Sequence, residues 1–201
     1  MINWEIPDYL KRKIQNIFKN LFGHCDCSEK LKQCERDKTY YAKRVETLLK
    51  VLARSISFPD IDLFIKDAKI VNPWKIIKTI GHYDMVTADK TYYALPLNDW
   101  IKILSDIQIQ VEKVLPKWRT DISDCDDYAL LMASFVVATF AKPYLDKQVA
   151  FAIAWSQNHA YNLFITTEDT CEIYEPQSNA IVGRLGKISG IYETKKIWFM
   201  G

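Results

Sequence analysis

The longest apolar run in this 201-residue chain covers residues 129–141 and reads Ala-Leu-Leu-Met-Ala-Ser-Phe-Val-Val-Ala-Thr-Phe-Ala. It falls short of the roughly 20 apolar residues that a membrane-spanning helix needs. A helix that is apolar on every side must be covered on every side by protein. The run therefore predicts a helix at the centre of a domain core. A chain of this length has room for one such domain and an appendage.

The segments around this run predict the rest of the domain. Apolar residues recur at helical spacing over residues 97–114, and Pro116 ends that pattern. After the core helix, short segments rich in β-branched and aromatic residues are separated by turn residues: 149–155, 159–165, 171–175 and 196–200. Helices followed by antiparallel strands predict an α+β domain, with the core helix packed on one face of the sheet. Residues 60–95 show no clear period.

Residues 1–56 differ from the remainder in charge and pattern. They hold twelve basic and seven acidic residues, whereas the whole chain has a formal net charge of only +2. Residues 8–22 predict a short amphipathic helix. In a second predicted helix, residues that recur at alternating spacings of three and four line one side and form a seam: Leu31, Cys34, Lys38, Tyr41, Val45, Leu48 and Leu52. This seam fits a coiled coil that forms a homo-oligomer through residues 28–56, or a helix that packs on its own domain. We therefore expect a helical N-terminal extension over 1–56 and a main domain over 57–201.

Composition limits the compartment and the partners. The N-terminal residues lack the order of basic, apolar and small residues that marks a signal peptide, so we expect a cytoplasmic protein, or a virion-associated one if a phage encodes it. The small net charge gives no reason to expect a nucleic-acid partner. Five cysteines, an odd number, argue against a disulfide framework and leave room for a working thiol.

Cys125 is the candidate for that thiol, because it stands where the core helix begins. Unpaired backbone N–H groups and the helix dipole favour a thiolate at such a position. A cysteine there can equally be a small buried residue. Four nearby carboxylates oppose ionisation of the thiol: Asp121, Asp124, Asp126 and Asp127. A nearby imidazolium or a bound divalent cation would offset them, although the same acids can also cap the helix and complement its dipole.

His159 is the candidate base, because it begins a predicted strand 34 residues after Cys125 and is one of only three histidines. A nucleophilic thiol requires a base within hydrogen-bonding reach and a group that orients the base. Glu175, at the end of the next strand, is the candidate orienting group, with Gln177 in reserve. A three-residue hairpin loop would place Glu175 opposite Tyr161 and on the same face as His159. A loop one residue shorter or longer would turn Glu175 to the other face.

Three motifs together carry a family resemblance: Asp-Cys-Asp-Asp-Tyr-Ala-Leu-Leu at 124–131, Asn-His-Ala-Tyr-Asn-Leu-Phe at 158–164, and Ile-Tyr-Glu-Pro-Gln at 173–177. Over residues 85–183 the chain resembles the papain-like catalytic domain of the Marasmius oreades agglutinin, related bacteriophage proteins and, more distantly, bacterial transglutaminase-like cysteine proteinases. The resemblance implies a papain-like, transglutaminase-like fold and calcium-dependent proteolysis by a Cys125, His159 and Glu175 triad. It also implies that Asp124 and Asp126 bind Ca²⁺. The sugar-binding β-trefoil of the agglutinin is absent, and residues 1–56 stand in its place.

These features lead to one expectation and one alternative. We expect a cysteine hydrolase that acts on a protein or peptide substrate through a thioester, with Cys125 as nucleophile and His159 as general base. The alternative is a non-catalytic virion or assembly module that keeps the papain-like fold and docks through its helical N-terminus.

Overall fold

The core helix predicted from the apolar run is present, and it begins at Cys125. The computed structural model describes residues 59–115, 124–142 and 144–200. Their helices are α1 (Asp62–Ile65), α2 (Pro73–Ile80), α3 (Leu97–Val114) and α4 (Cys125–Phe140). Helix α4 buries ten of its residues, as expected of a segment that is apolar all round. Helix α3 has the predicted bounds and packs against α4.

The strands extend the predicted set. They are β1 (Lys69–Val71), β2 (Asp84–Thr87), β3 (Tyr92–Ala94), β4 (Phe151–Trp155), β5 (Ala160–Ile165), β6 (Cys171–Glu175), β7 (Ala180–Arg184) and β8 (Lys196–Phe199). Strands β1 and β3 form a small antiparallel pair. The main sheet has the order β2-β8-β4-β5-β6-β7. The α+β class is therefore confirmed.

One prediction about the sheet needs correction, because it is not wholly antiparallel. Strand β2 lies at its edge and pairs parallel with β8. Strand β2 comes from the region in which the sequence showed no clear period, and its partner lies more than 100 residues later in the chain. A parallel pair needs a long connection, so no local turn signal announces it.

Both faces of the sheet are covered, whereas the sequence predicted a helix on one face only. Strand β5 buries all six of its residues. Helix α4 packs on β4 and β5, and Asn162 of β5 points toward it, since its Nδ2 donates to the carbonyl of Ala129 at 2.9 Å. The alternate residues of β5 join a second apolar cluster with Ile77 of α2. Strands β4 and β5 are therefore apolar at nearly every position and do not alternate between apolar and polar residues.

The hairpin between β5 and β6 decides where Glu175 lies. Asn162 pairs with Tyr174 and Ile165 pairs with Cys171, which is the register of the three-residue loop. Asp169, the last residue of the loop, has φ 60, the left-handed conformation that this hairpin type commonly needs. Its carboxylate also accepts a hydrogen bond from Lys69 Nζ at 2.7 Å. This turn brings the end of β6 beside the start of β5.

Several predictions fall on residues that the structure does not describe. The N-terminal extension over 1–56 with its proposed coiled coil lies outside the described residues, and so does Asp121. Among the helices of the described ranges, none combines the length and apolar character required to cross a membrane.

Candidate functional site

Cys125 is the first residue of α4, and Asp124 precedes the helix in an extended conformation with φ -103 and ψ -161. The thiol is partly exposed, and its Sγ accepts a hydrogen bond from the backbone N–H of Ala160 at 3.5 Å. Burial raises the pKa of the Cys125 thiol, the bond from Ala160 opposes that rise, and the charges of Asp126 and Asp124 raise it further. The raised pKa agrees with the expectation that the flanking carboxylates oppose ionisation of the Cys125 thiol.

His159 and Glu175 meet at the adjoining ends of β5 and β6. His159 Nε2 lies 2.6 Å from Glu175 Oε2, and both side chains are largely buried. A carboxylate can only accept, so the imidazole donates from Nε2. In a neutral ring, Nδ1 is then the nitrogen that can take a proton. Ala160, the next residue, donates its backbone N–H to Cys125 Sγ, so the thiol lies beside the start of β5.

The Glu175 carboxylate is held by two further donors. Its Oε1 accepts from the backbone N–H of Gln177 at 3.1 Å, and its Oε2 accepts from the Tyr192 hydroxyl at 3.1 Å. Gln177, the reserve orienting residue, thus supports Glu175 through its backbone and does not replace it. A carboxylate with three donors has a fixed orientation, and it fixes the imidazole in turn.

Two tyrosines at the site were not identified from the sequence. The Tyr161 hydroxyl donates to the carbonyl of Tyr192 at 3.0 Å and shares a hydrogen bond with Thr194 Oγ1 at 2.7 Å. The rings of His159, Tyr161 and Tyr192 lie with their centroids 5.3–5.7 Å apart. Tyr161 could have been found, because it follows His159 by two residues and so shares its face of the strand. Tyr192 lies in the 3-10 turn Gly190–Tyr192, which has no local signal of its position.

The two acids flanking Cys125 form a pair. A hydrogen bond with Asp124, then burial and the charge of Asp124, raise the pKa of Asp126 to about 6. The Asp124 side chain makes no capping bond to α4, so its extended backbone turns it toward Asp126. Ca²⁺ takes six to eight oxygen ligands, and within the described residues no group of three or more potential metal-binding side chains occurs. Backbone carbonyls and water would have to supply the rest.

A cleft of about 310 Å³ adjoins the site through Tyr192, which is part of its wall. The remainder of the wall is mixed, with the apolar Leu185 and Ile188 beside aromatic and polar residues that include His82, Tyr83 and Lys195. Its size is at the lower end of the range for pockets that hold small ligands. The site therefore combines a partly exposed thiol, a histidine held by a carboxylate, and a cleft beside Tyr192.

Comparison with known proteins gives a limited result. No family model matches the chain, and no curated protein matches it. A solved structure described as the PSL1a–E64 complex has 18% sequence identity and a TM-score of 0.50, over 65% of this chain and 51% of that one. The two share a fold. A structure of the Polyporus squamosus lectin bound to a human-type influenza-binding epitope has 18% identity and a TM-score of 0.48, over 65% of this chain and 49% of that one. The chain thus spans about half the length of each.

These comparisons overturn the family and the activity expected from the sequence. The solved structure that shares the fold is that of PSL1a, a Polyporus squamosus lectin, and no family model supports a papain-like, transglutaminase-type cysteine protease. The assignment to the relatives of the Marasmius oreades agglutinin and the bacteriophage proteins is therefore corrected. The expected cysteine hydrolase with its thioester chemistry is also wrong. The same correction applies to the phage assembly module that was its alternative. The resemblance rested on three short motifs, and a helix-capping acid, a buried strand and a turn can each produce such a motif for structural reasons.

Proposed function

We propose that the described domain binds ligands at the cluster formed by Cys125, His159 and Glu175, and that Cys125 captures electrophilic ligands covalently. One observation carries this proposal: the imidazole of His159 is fixed by Glu175 at 2.6 Å, while Cys125 Sγ contacts the next backbone N–H. In the capture step the thiol proton passes to His159 Nδ1, a bond forms between sulfur and an electrophilic carbon, and the leaving group departs with the bonding electrons. The raised pKa of Cys125 makes this base assistance necessary near neutral pH.

The ligand that we propose is a protein or peptide. Strand β7 is the last strand of the main sheet in the described residues, and its Ala180 pairs with Glu175. The free edge of a strand can bind an extended peptide through backbone hydrogen bonds. A peptide bound there would lie beside β7, one strand away from β6 with its Glu175, and the cleft next to Tyr192 could receive one of its side chains.

A labelling experiment tests the role of His159. The full-length protein is treated with iodoacetamide at pH 7.5, and the rate of modification at each cysteine is measured by mass spectrometry. We expect His159→Ala to slow modification of Cys125 by roughly 100-fold, because general-base assistance contributes about that factor. Glu175→Gln is expected to give a smaller loss, since the imidazole remains but loses its charged partner.

The control in this experiment is Cys171, which is buried in β6 and has its thiol pKa raised by burial. It should react slowly and equally in every variant. The same labelling is repeated with two competitors. One is a mixed peptide library, and the other is the trisaccharide Neu5Acα2-6Galβ1-4GlcNAc, which is the epitope in the lectin structure. Equal rates for the wild type and His159→Ala would contradict the proposed site. Protection by the trisaccharide alone would replace the peptide with a glycan.

We also propose that Asp124 and Asp126 bind Ca²⁺. The support is the contact between their carboxylates, which raises the pKa of Asp126 to about 6, so that near pH 7.5 the pair loses its shared proton and two negative charges face each other. A hard cation that bridges the two would remove this repulsion. Neutralising these charges would also remove one cause of the raised pKa of Cys125.

Thermal unfolding at pH 7.5, with millimolar Ca²⁺ or with a chelator, tests the metal proposal. Binding to the folded state alone, at about 100 times the dissociation constant, is expected to add about 2.7 kcal/mol to the free energy of unfolding. Asp126→Asn is the matched variant, because it keeps the shape of the side chain and should lose most of the shift. If chelator and Ca²⁺ give the same midpoint in the wild type, the two acids act only as a carboxylate pair at the start of α4.

A further inference from the structure

One oxygen of the Glu175 carboxylate accepts hydrogen bonds from two side chains. Its Oε2 accepts from both His159 Nε2, at 2.6 Å, and the Tyr192 hydroxyl, at 3.1 Å. Tyr192 therefore acts on the same oxygen that orients the imidazole. We propose that Tyr192 is the positioning residue of the site, which holds Glu175 and thereby keeps the His159 proton on Nε2. This inference rests on the proposed function of the Cys125, His159 and Glu175 cluster.

The position of Tyr192 is itself fixed by the sheet. Its backbone carbonyl accepts from the Tyr161 hydroxyl at 3.0 Å, and that hydroxyl is also hydrogen-bonded to Thr194 Oγ1 at 2.7 Å. Tyr161 is fully buried in β5, two residues after His159. The hydrogen bond from Tyr161 therefore holds the turn with Tyr192 against β5, the strand that follows His159. This contact fixes the position of the Tyr192 hydroxyl relative to Glu175 and His159.

The ring of Tyr192 also packs against the imidazole of His159. The ring centroids of His159 and Tyr192 are 5.4 Å apart, with an interplanar angle of 70°, and Tyr192 contacts the Tyr161 ring in a similar edge arrangement at 5.3 Å. The bond between His159 and Glu175 is therefore bordered by aromatic rings, and both of its side chains are largely buried. A charge-assisted hydrogen bond is stronger where water is excluded.

The Tyr192 hydroxyl remains a donor over the whole physiological range. Burial and then the charge of Glu175 raise the pKa of Tyr192 to about 12. It consequently keeps its proton and cannot serve as the base that takes the thiol proton. Its function is to stabilise the negative charge of Glu175, so that the imidazole meets a carboxylate that is held in one orientation.

The test replaces Tyr192 by Phe, which removes the hydroxyl and keeps the ring. The chain has only three histidines, so the ring nitrogens of His159 can be assigned by comparing ¹⁵N spectra of the wild type and His159→Ala. In the wild type at neutral pH we expect one protonated nitrogen, Nε2, and one unprotonated nitrogen, Nδ1. In Tyr192→Phe we expect the two signals to move toward each other, because the two tautomers exchange. The rate of Cys125 modification should fall by roughly 10-fold.

Tyr93→Phe is the matched control, because Tyr93 also donates its hydroxyl to a carboxylate, that of Asp146, has a raised pKa, and is not among the residues that line the cleft. It should leave both the His159 spectrum and the modification rate unchanged. Thermal midpoints measured on all variants reveal any general loss of folding. Unchanged ¹⁵N shifts and an unchanged rate in Tyr192→Phe would overturn the positioning role, while loss of labelling in His159→Ala would still uphold the proposed function. If His159→Ala labels like the wild type, the proposed function itself fails.

Discussion

Cys125→Ala is expected to abolish the covalent labelling of the site by electrophiles, with the folded structure retained. The sulfur is the only atom of this cluster able to form the proposed bond, so the loss should be complete and not graded. The cost in stability should be small, because Cys125 is partly exposed at the first turn of α4 and does not fill the core. Mass spectrometry of the protein treated with iodoacetamide measures the result.

Two variants make this result specific to Cys125. Cys171→Ala removes a buried thiol whose pKa burial has raised, and it should leave labelling of Cys125 intact. Cys125→Ser keeps the size of the side chain and supplies a much weaker nucleophile, so it should also give no adduct. A fast adduct that persists in Cys125→Ala would place the reactive thiol elsewhere in the chain and would contradict the proposed site.

Trp100→Ala is expected to lower the free energy of unfolding by about 3–5 kcal/mol. Trp100 is fully buried in α3, and its Nε1 donates to the carbonyl of Ile165 at 3.0 Å. Its ring packs between the core helix and the sheet, with centroids 5.0–6.5 Å from those of Phe140, Phe151 and Phe164. Truncation would therefore leave a large cavity and remove the hydrogen-bond donor of a buried carbonyl. Urea unfolding followed by circular dichroism measures the change.

Two further substitutions separate the causes of this loss. Trp100→Phe keeps most of the apolar volume but removes the Nε1 donor, so it should fall between the wild type and Trp100→Ala. Trp74→Ala removes the same kind of side chain from a site with 48% of its surface exposed, and it should have a much smaller effect. Equal losses for Trp74→Ala and Trp100→Ala would show that packing between α3 and the sheet does not limit the stability of the domain.

The two central helices and four of the strands could be predicted because their signals are local. The apolar run of α4 and the helical spacing of α3 each lie within one continuous segment, so burial can be inferred without knowledge of the partner. The strands after the core helix were predicted for the same reason. Strands β1 and β3 were missed because they have only three residues each, and β7 was missed because none of its five residues is buried.

The candidate site could be predicted only in part. Residue type and order pointed to Cys125, His159 and Glu175, and the hairpin register that the structure shows is the one that this cluster needs. Tyr192 could not be predicted, since it reaches Glu175 from a turn that is distant in sequence from His159. The short motifs also led to a protease family that the comparisons contradict, because local residue patterns record a geometry and not the reaction that it serves.

The sequence by itself determined where the core helix begins and ends, and which residue types stand at its entrance. It could do so because these properties depend on neighbours along the chain. The tertiary structure alone decided that Asp124 turns toward Asp126, that β2 joins the sheet in parallel, and that Tyr192 binds the same carboxylate oxygen as His159. Each of these depends on a backbone conformation or a contact between distant segments, which is selected by burial in the complete domain and has no counterpart in any local pattern.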